Sequence, residues 1–169
     1  RPTGRAVRLA IEGQLSGPNT RTLSVIDLSE VTLIDFSCAD EVVAKLLLKY
    51  QRSSAEREAF FVFHGVRFPH REPIEAGLER HALWAVAETG EGAFELLGPA
   101  DEERARIWTA VEAEGVIPTA QALELGGNGV GEANVQWLLD HRLVFRTDDG
   151  HDLVALSQRL GNVSFGSDT

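Results

Sequence analysis

From residue 23 to residue 97, short apolar runs rich in β-branched and aromatic residues alternate with stretches whose apolar residues recur at helical spacing. Nothing else in the chain constrains its fold so strongly, because strand–helix–strand repeats bury themselves as a sheet with helices packed on it. "LSVIDLSEVTLID" (23–35) carries Leu23, Val25, Ile26 and Leu28 so densely that it predicts a central strand buried on both faces. Residues 38–52 place Val42, Val43, Leu46, Leu47 and Tyr50 on one helical stripe. "AFFVFHG" (59–65) reads as a second buried strand. "REPIEAGLERHA" (71–82) reads as a helix starting near Pro73 with Ile74 and Leu78 inward. "LWAVAETGEGAFELLG" (83–98) reads as two strands joined at Thr89-Gly90-Glu91-Gly92. Upstream, "RAVRLAIEG" (5–13) sets Val7, Leu9 and Ile11 against Arg8, Ala10 and Glu12, the period of a half-buried strand, and "QLSGPNTRT" (14–22) reads as a loop. The expectation is an α/β unit with a mixed sheet of four or five strands, at least partly parallel.

At Gly98-Pro99 the pattern changes. "DEERARIWTAVEAEG" is an amphipathic helix with Ile107, Trp108 and Val111 inward and acids in its first turn, where the helix dipole favours them. "VIPTAQALELGG" gives a second helix ended by Gly126-Gly127. "GEANVQWLLDHR" gives a third, with Trp137, Leu138 and Leu139 as its core residues. "LVFRTDDGHDLVAL" is a hairpin around Asp149-Gly150. Three helices followed by a two-stranded wing is the plan of a winged helix. The expected organisation is one domain over residues 1–99, a second over 100–160, and a flexible polar, glycine-rich tail over 161–169.

The bulk numbers narrow the setting. Of 169 residues, 43% are hydrophobic, enough for an ordinary packed core. Cys38 is the only cysteine, so no intrachain disulfide and no thiolate metal cluster can form, which points to a reducing, cytoplasmic compartment. No apolar run nears the roughly 20 residues that span a bilayer, and no signal peptide is visible, so no membrane partner is expected. The first residue is Arg1 rather than methionine, which reads as a piece of a longer chain. A net charge of −10 repels phosphate backbones and makes nucleic acid a poor default partner.

Over "VIDLSEVTLIDFSCADEVVAKLL" (25–47) the chain resembles the STAS domain, the module of bacterial anti-sigma factor antagonists and anion-transporter tails. In that family a buried strand ends in Asp, followed by Ser or Thr, Ser, Gly and a small apolar residue, and then a helix. Asp35 matches the family's Asp, and Ser37 falls on the serine phosphorylated in the antagonists. Phe36 departs from the Ser/Thr, Cys38 from the glycine and Asp40 from a later small position. "CADEVVAKL" is also similar to a STAS-like bacterial family of unknown function. The resemblance covers residues 5–98, without the usual helix between the first strands. It implies a regulatory module that binds another protein, with Ser37 as phosphoacceptor and Asp35, Cys38, Asp40 and Glu41 as the regulatory surface. Residues 101–160 resemble the winged helix of bacterial regulators: "LLDHRLVFR" follows Leu-x-x-x-Gly-Leu-Val, with Arg142 standing where the glycine belongs.

Each site has a plainer structural reading. Ser37 suits the N-cap of the helix that follows, where its hydroxyl would accept a backbone N–H and stabilise by about 1 kcal/mol. A phosphate there would meet Asp35, Asp40 and Glu41. Asp35 reads as a turn residue. The acidic trio lacks a second cluster at ligand spacing, so no metal is expected. The five histidines show no zinc-site spacing, and no nucleophile motif marks a catalytic set, so neither catalytic residues nor a cofactor is expected. "GGNGVG" (126–131) fits neither a dinucleotide fingerprint nor a P-loop and reads as the turn of a helix-turn-helix. In the third helix Glu132, Asn134 and Gln136, with Arg142 beyond, form the candidate recognition surface. Residues 101–160 hold five arginines against eleven acids, a balance of −6 that disfavours DNA.

These readings converge on a non-enzymatic bacterial regulatory or scaffold module in signal transduction. It would act by protein–protein interaction, with partner switching under phosphorylation control and homodimerisation among its modes. The alternative is a transcription regulator that reads DNA through the C-terminal winged helix.

Overall fold

A computed structural model of the chain describes residues 2–15, 21–51, 58–90, 92–127 and 129–160. The chain divides between Ala100 and Asp101 into two compact units. The expected tail at 161–169, and residues 16–20 of the expected loop, lie outside the described residues.

In the first unit α1 (Pro2–Gln14) precedes β1 (Arg21–Asp27). A continuous helical run follows, made of α2 (Phe36–Ala39), a π-helical segment (Asp40–Lys45) and α3 (Leu46–Gln51). Then come β2 (Glu58–His64), α4 (Phe68–His81), β3 (Ala85–Gly90) and β4 (Ala93–Leu97). The sheet is mixed and four-stranded in the order β1-β2-β3-β4, with β1, β2 and β3 parallel and β4 antiparallel. Its core packs Phe61, Phe63, Ala85, Ala87 and Leu97 from the strands against Val43, Leu46, Leu47, Tyr50, Ile74 and Leu78 from the helices. Burying each larger aliphatic or aromatic side chain stabilises by roughly 1.5–3 kcal/mol. Trp84 closes the unit by donating Nε1–H to the Pro99 carbonyl (2.8 Å).

Three expectations fail here. Residues 5–13 form a helix rather than a strand. Gly4, Arg8, Ile11 and Leu15 make one helical stripe turned toward residues 38–49, while Val7 and Leu9 face solvent. Arg8 bridges to Glu12 within the helix (2.7 Å) and to Glu41 across it (3.1 Å), and Glu12 receives Lys49 (2.7 Å). Of the alternating Val7, Leu9 and Ile11, only Ile11 is partly buried. Second, β1 is an edge strand ending at Asp27, with Thr22–Ile26 half-buried and its two terminal residues exposed. Leu28 still donates its N–H to His64 of β2 (2.8 Å), and beyond it residues 29–35 leave the sheet because their polar groups find other partners. The Asp27 carboxylate accepts the Ser29 N–H (2.8 Å), and the Val31 carbonyl accepts both His70 Nε2–H (2.7 Å) and Arg67 Nη2–H (2.7 Å). Third, α4 begins at Phe68, with Pro69 in its first turn and Pro73 inside it, deleting one helical bond.

The second unit contains α5 (Glu102–Glu114), β5 (Val116–Pro118), α6 (Thr119–Leu125), α7 (Gly131–Asp140), β6 (Val144–Arg146), β7 (Asp152–Ala155) and α8 (Leu156–Leu160). The Asp101 carboxylate caps α5 by accepting the Arg104 N–H (3.2 Å), and Ile107, Trp108 and Val111 are buried beneath it. The hairpin turns at Asp149, whose carboxylate accepts Thr147 Oγ1–H (2.6 Å) and the His151 N–H (2.9 Å). Residues 116–118, expected to be helical, form β5, and the sheet is three-stranded and antiparallel in the order β5-β7-β6.

The glycines of "GGNGVG" sit where α6 meets α7. A Cβ on Gly131 would stand 2.1 Å from the Leu123 carbonyl oxygen, and one on Gly126 would stand 2.5 Å from Gly131 Cα. Leu138 and Val135 are buried in α7, whereas Trp137 and Leu139 are half-buried.

Candidate functional site

The stretch carrying the family resemblance folds as a charged seam on a helix. Asp35, not Ser37, is the N-cap of α2: its backbone is extended and its carboxylate accepts the Cys38 N–H (2.8 Å). Ser37 lies inside the first turn, half-exposed, and its hydroxyl makes no hydrogen bond among the described residues. Cys38 is half-buried, and burial, with the Asp35 charge adding to it, raises its thiol pKa above the ordinary value. A thiol so placed is a weak nucleophile.

Asp40 and Glu41 do not form a bare acidic surface. Asp40 is buried, 2.8 Å from His81 Nε2, with Lys45 Nζ at 3.6 Å. Glu41 binds both Arg8 and Lys45, and its pKa is lowered chiefly by the Lys45 hydrogen bond, with Arg8 adding to it. The repulsion expected for a charge added at Ser37 is thus reduced at Glu41, which Arg8 and Lys45 hold. The seam falls on the π-helical segment, flanked by glycines from both neighbouring helices. A Cβ on Gly4 would lie 3.2 Å from Cys38 Cα, and one on Gly77 would lie 3.6 Å from Asp40 Cα.

Sequence reasoning passed over a second polar cluster. Asp27, His64 and Glu88 occupy one register row at the C-terminal ends of the three parallel strands. Glu88 is 7% exposed, and its carboxylate accepts N–H groups from Gly65 (3.2 Å) and Gly92 (3.1 Å) beside His64 Nδ1 (2.6 Å). It ties the end of β2 to the β3–β4 turn. The Asp27 pKa is lowered by its hydrogen bonds from Ser29, with His64 contributing last. The available signal was that "FFVFH" and "WAVAE" both end a buried run on a titratable residue. His70 is fully buried: Nδ1 accepts the Arg67 N–H (3.2 Å) while Nε2 donates to Val31, a pattern that fixes one neutral tautomer. Among the described residues no group of three or more His, Cys, Asp or Glu side chains is placed to hold a metal ion.

In the second unit the four candidate recognition residues separate. Glu132 and Gln136 are exposed on α7, and Gln136 donates to Asp140 (2.8 Å). Asn134 is buried instead, its amide facing Arg104 Nε and Glu103 (3.4 Å each), so it cannot reach a base edge. Arg104 is committed there too, 4.3 Å from the Trp137 ring and 3.0 Å from Asp101, while His141 stacks on Trp137 at 4.0 Å. Burial lowers the His141 pKa. Arg142 lies past the helix in left-handed backbone (φ 57), where Leu143 N–H reaches the Leu138 carbonyl (3.0 Å). It occupies the position that helix ends usually give to glycine.

No protein-family model, curated protein or solved structure matches the chain. No described helix is long and apolar enough to cross a membrane.

Proposed function

We propose that the chain is a bacterial regulatory or scaffold module that works by binding another protein, a STAS-like unit joined to an acidic winged helix. The observation that carries this reading is the solvent face of α7. Glu132, Gln136 and Asp140 are exposed, the helix holds no basic side chain, and Arg104, which packs against it, is engaged with Trp137 and Asp101. Such a face gains nothing from counterion release on a phosphate backbone, whereas a basic protein surface complements it.

Partner switching at Ser37 is part of the proposal. Its support is a half-exposed hydroxyl in the first turn of a helical run, where a phosphate is electrostatically favoured, with Glu41 paired to Arg8 and Lys45 and Asp40 within hydrogen-bond reach of His81. Affinity capture from the source cell, with and without phosphatase, is the test. A partner lost on Glu132→Arg/Asp140→Arg supports docking through α7, and one lost on Ser37→Asp supports the switch. If both variants retain every partner, the reading fails.

The second reading, a DNA-binding regulator, is favoured by the α6–turn–α7 arrangement with its β6–β7 hairpin and by the exposed Gln136. A salt-sensitive mobility shift of random duplex at physiological salt would promote it over the first.

A further inference from the structure

The sheet has an open edge. Among the described residues β1 has a strand neighbour on one side only, β2. Leu28 donates its N–H to the His64 carbonyl (2.8 Å). Backbone groups alternate sides along a strand, so Ser24 and Ile26 also turn theirs to β2, while Leu23 and Val25 turn theirs to the open side. Natural edges carry guards: a proline, a lysine, a bulge, an inward charge. "RTLSVID" has no proline or lysine, and its register with β2 runs unbroken from Arg21 to Asp27.

The edge is also complementary to itself. Laid antiparallel on a copy and centred on Ser24, the strand sets Arg21 against the second Asp27, Leu23 against the second Val25, and Thr22 against the second Ile26. Opposite charges meet at both ends, and apolar residues meet on one face. The outward-facing residues fall opposite one another, so each opposed pair exchanges two backbone bonds. The parity of the β1–β2 ladder admits antiparallel pairings centred on a residue, and among these the charge pattern picks Ser24. The other edge, β4, lacks this property. Paired about its middle residue it would set Glu95 against Glu95, and its ladder to β3 shifts register between Glu88 and Gly90.

We propose that β1 pairs with β1 of a second copy of this chain across a two-fold axis through Ser24, joining the two sheets into one. A two-fold interface of this kind uses the same patch on both subunits and closes without further growth.

Sedimentation velocity of the full chain at tens of micromolar should give a dimer. Val25→Pro removes an N–H that points only to the open side, a position where edge strands tolerate proline, and should give a monomer with unchanged far-UV circular dichroism. Should that variant misfold, the charges decide. Arg21→Asp should lose the dimer, and Arg21→Asp/Asp27→Arg should restore it. Register is read by cross-linking in a Cys38→Ser background. Ser24 and its counterpart form a non-hydrogen-bonded pair with Cα atoms about 4.5 Å apart, within disulfide reach. Thr22 and its counterpart stand roughly 13 Å apart at four residues' offset. Oxidised Ser24→Cys should run as a covalent dimer and Thr22→Cys as a monomer. A wild type that stays monomeric, a Val25→Pro variant that is folded and still dimeric, or equal cross-linking at the two positions would overturn the proposal.

Discussion

Asp35→Ala is the sharpest test of how the helical run at residue 36 begins. The Asp35 carboxylate accepts the Cys38 N–H at 2.8 Å, whereas the Ser37 hydroxyl makes no hydrogen bond among the described residues. Asp35 is exposed, so its removal creates no cavity, and the loss is that of the cap. A cap of this type contributes about 1 kcal/mol (range roughly 0.5–2). For a unit of this size that is about 4–8 °C in melting temperature. Ser37→Ala should change stability by under about 0.5 kcal/mol, as a half-exposed substitution without a lost bond. Asp35→Asn keeps an acceptor oxygen and should fall between the two. Urea unfolding followed by circular dichroism gives the midpoints, with the two units treated as separate transitions where they resolve. The Cys38 thiol supplies an independent readout. The Asp35 charge helps to raise its pKa, so Asp35→Asn should move thiolate absorbance to lower pH and speed alkylation at a fixed alkaline pH. If Ser37→Ala costs more than Asp35→Ala, or the thiol does not respond, Ser37 is the cap and the assignment is wrong.

Ala82 ends α4 in left-handed backbone (φ 51) and is exposed, so Ala82→Gly should stabilise the first unit by about 1 kcal/mol in the same assay. Gly131→Ala places a methyl 2.1 Å from the Leu123 carbonyl oxygen, and should destabilise the second unit by more than about 3 kcal/mol while leaving the first unit's transition in place. Glu41 has a folded pKa below its unfolded value of about 4.3, so its contribution is full above that value and lost as pH falls through the folded one. Glu41→Gln should therefore be less stable than wild type at neutral pH and approach it in acid. A gap that stays constant with pH would mean that Lys45 and Arg8 do not hold its charge.

What the sequence disclosed follows from which signals burial enforces. The stripe Val42, Val43, Leu46, Leu47, Tyr50 and the run Phe60–Phe63 are apolar because the core requires it, and both were legible as helix and strand. The α1 stripe was not, since two of its inward positions, Gly4 and Arg8, are there for close approach and for an ion pair rather than for hydrophobicity. Period-two alternation in Val7, Leu9 and Ile11 then had no competitor. Residues 28–35 were misread for the opposite reason. Leu28 and Ile34 are buried, yet the segment is fixed by the Asp27 turn and by His70 and Arg67 on a helix some forty residues onward, partners that no local pattern announces.

The candidate site was half legible on the same grounds. Residue types placed Asp35, Ser37, Asp40 and Glu41 at a helix start, but the sign of the local field depended on chains remote in sequence. Arg8 comes from α1 and His81 from the end of α4; at Gly4 a Cβ would crowd Cys38 and Glu41, while at Gly77 it would make only ordinary contact with Asp40. The run around the π segment is approached closely by α1, where Gly4 leaves room for its backbone. Both glycines face the helical run, and Arg8 reaches Glu41 from the helix whose approach Gly4 permits. The acidity that argued against a phosphate at Ser37 is therefore a property of residues 35–41 read alone, and the fold offsets part of it by bringing Arg8 to Glu41 from a helix that the local sequence does not contain.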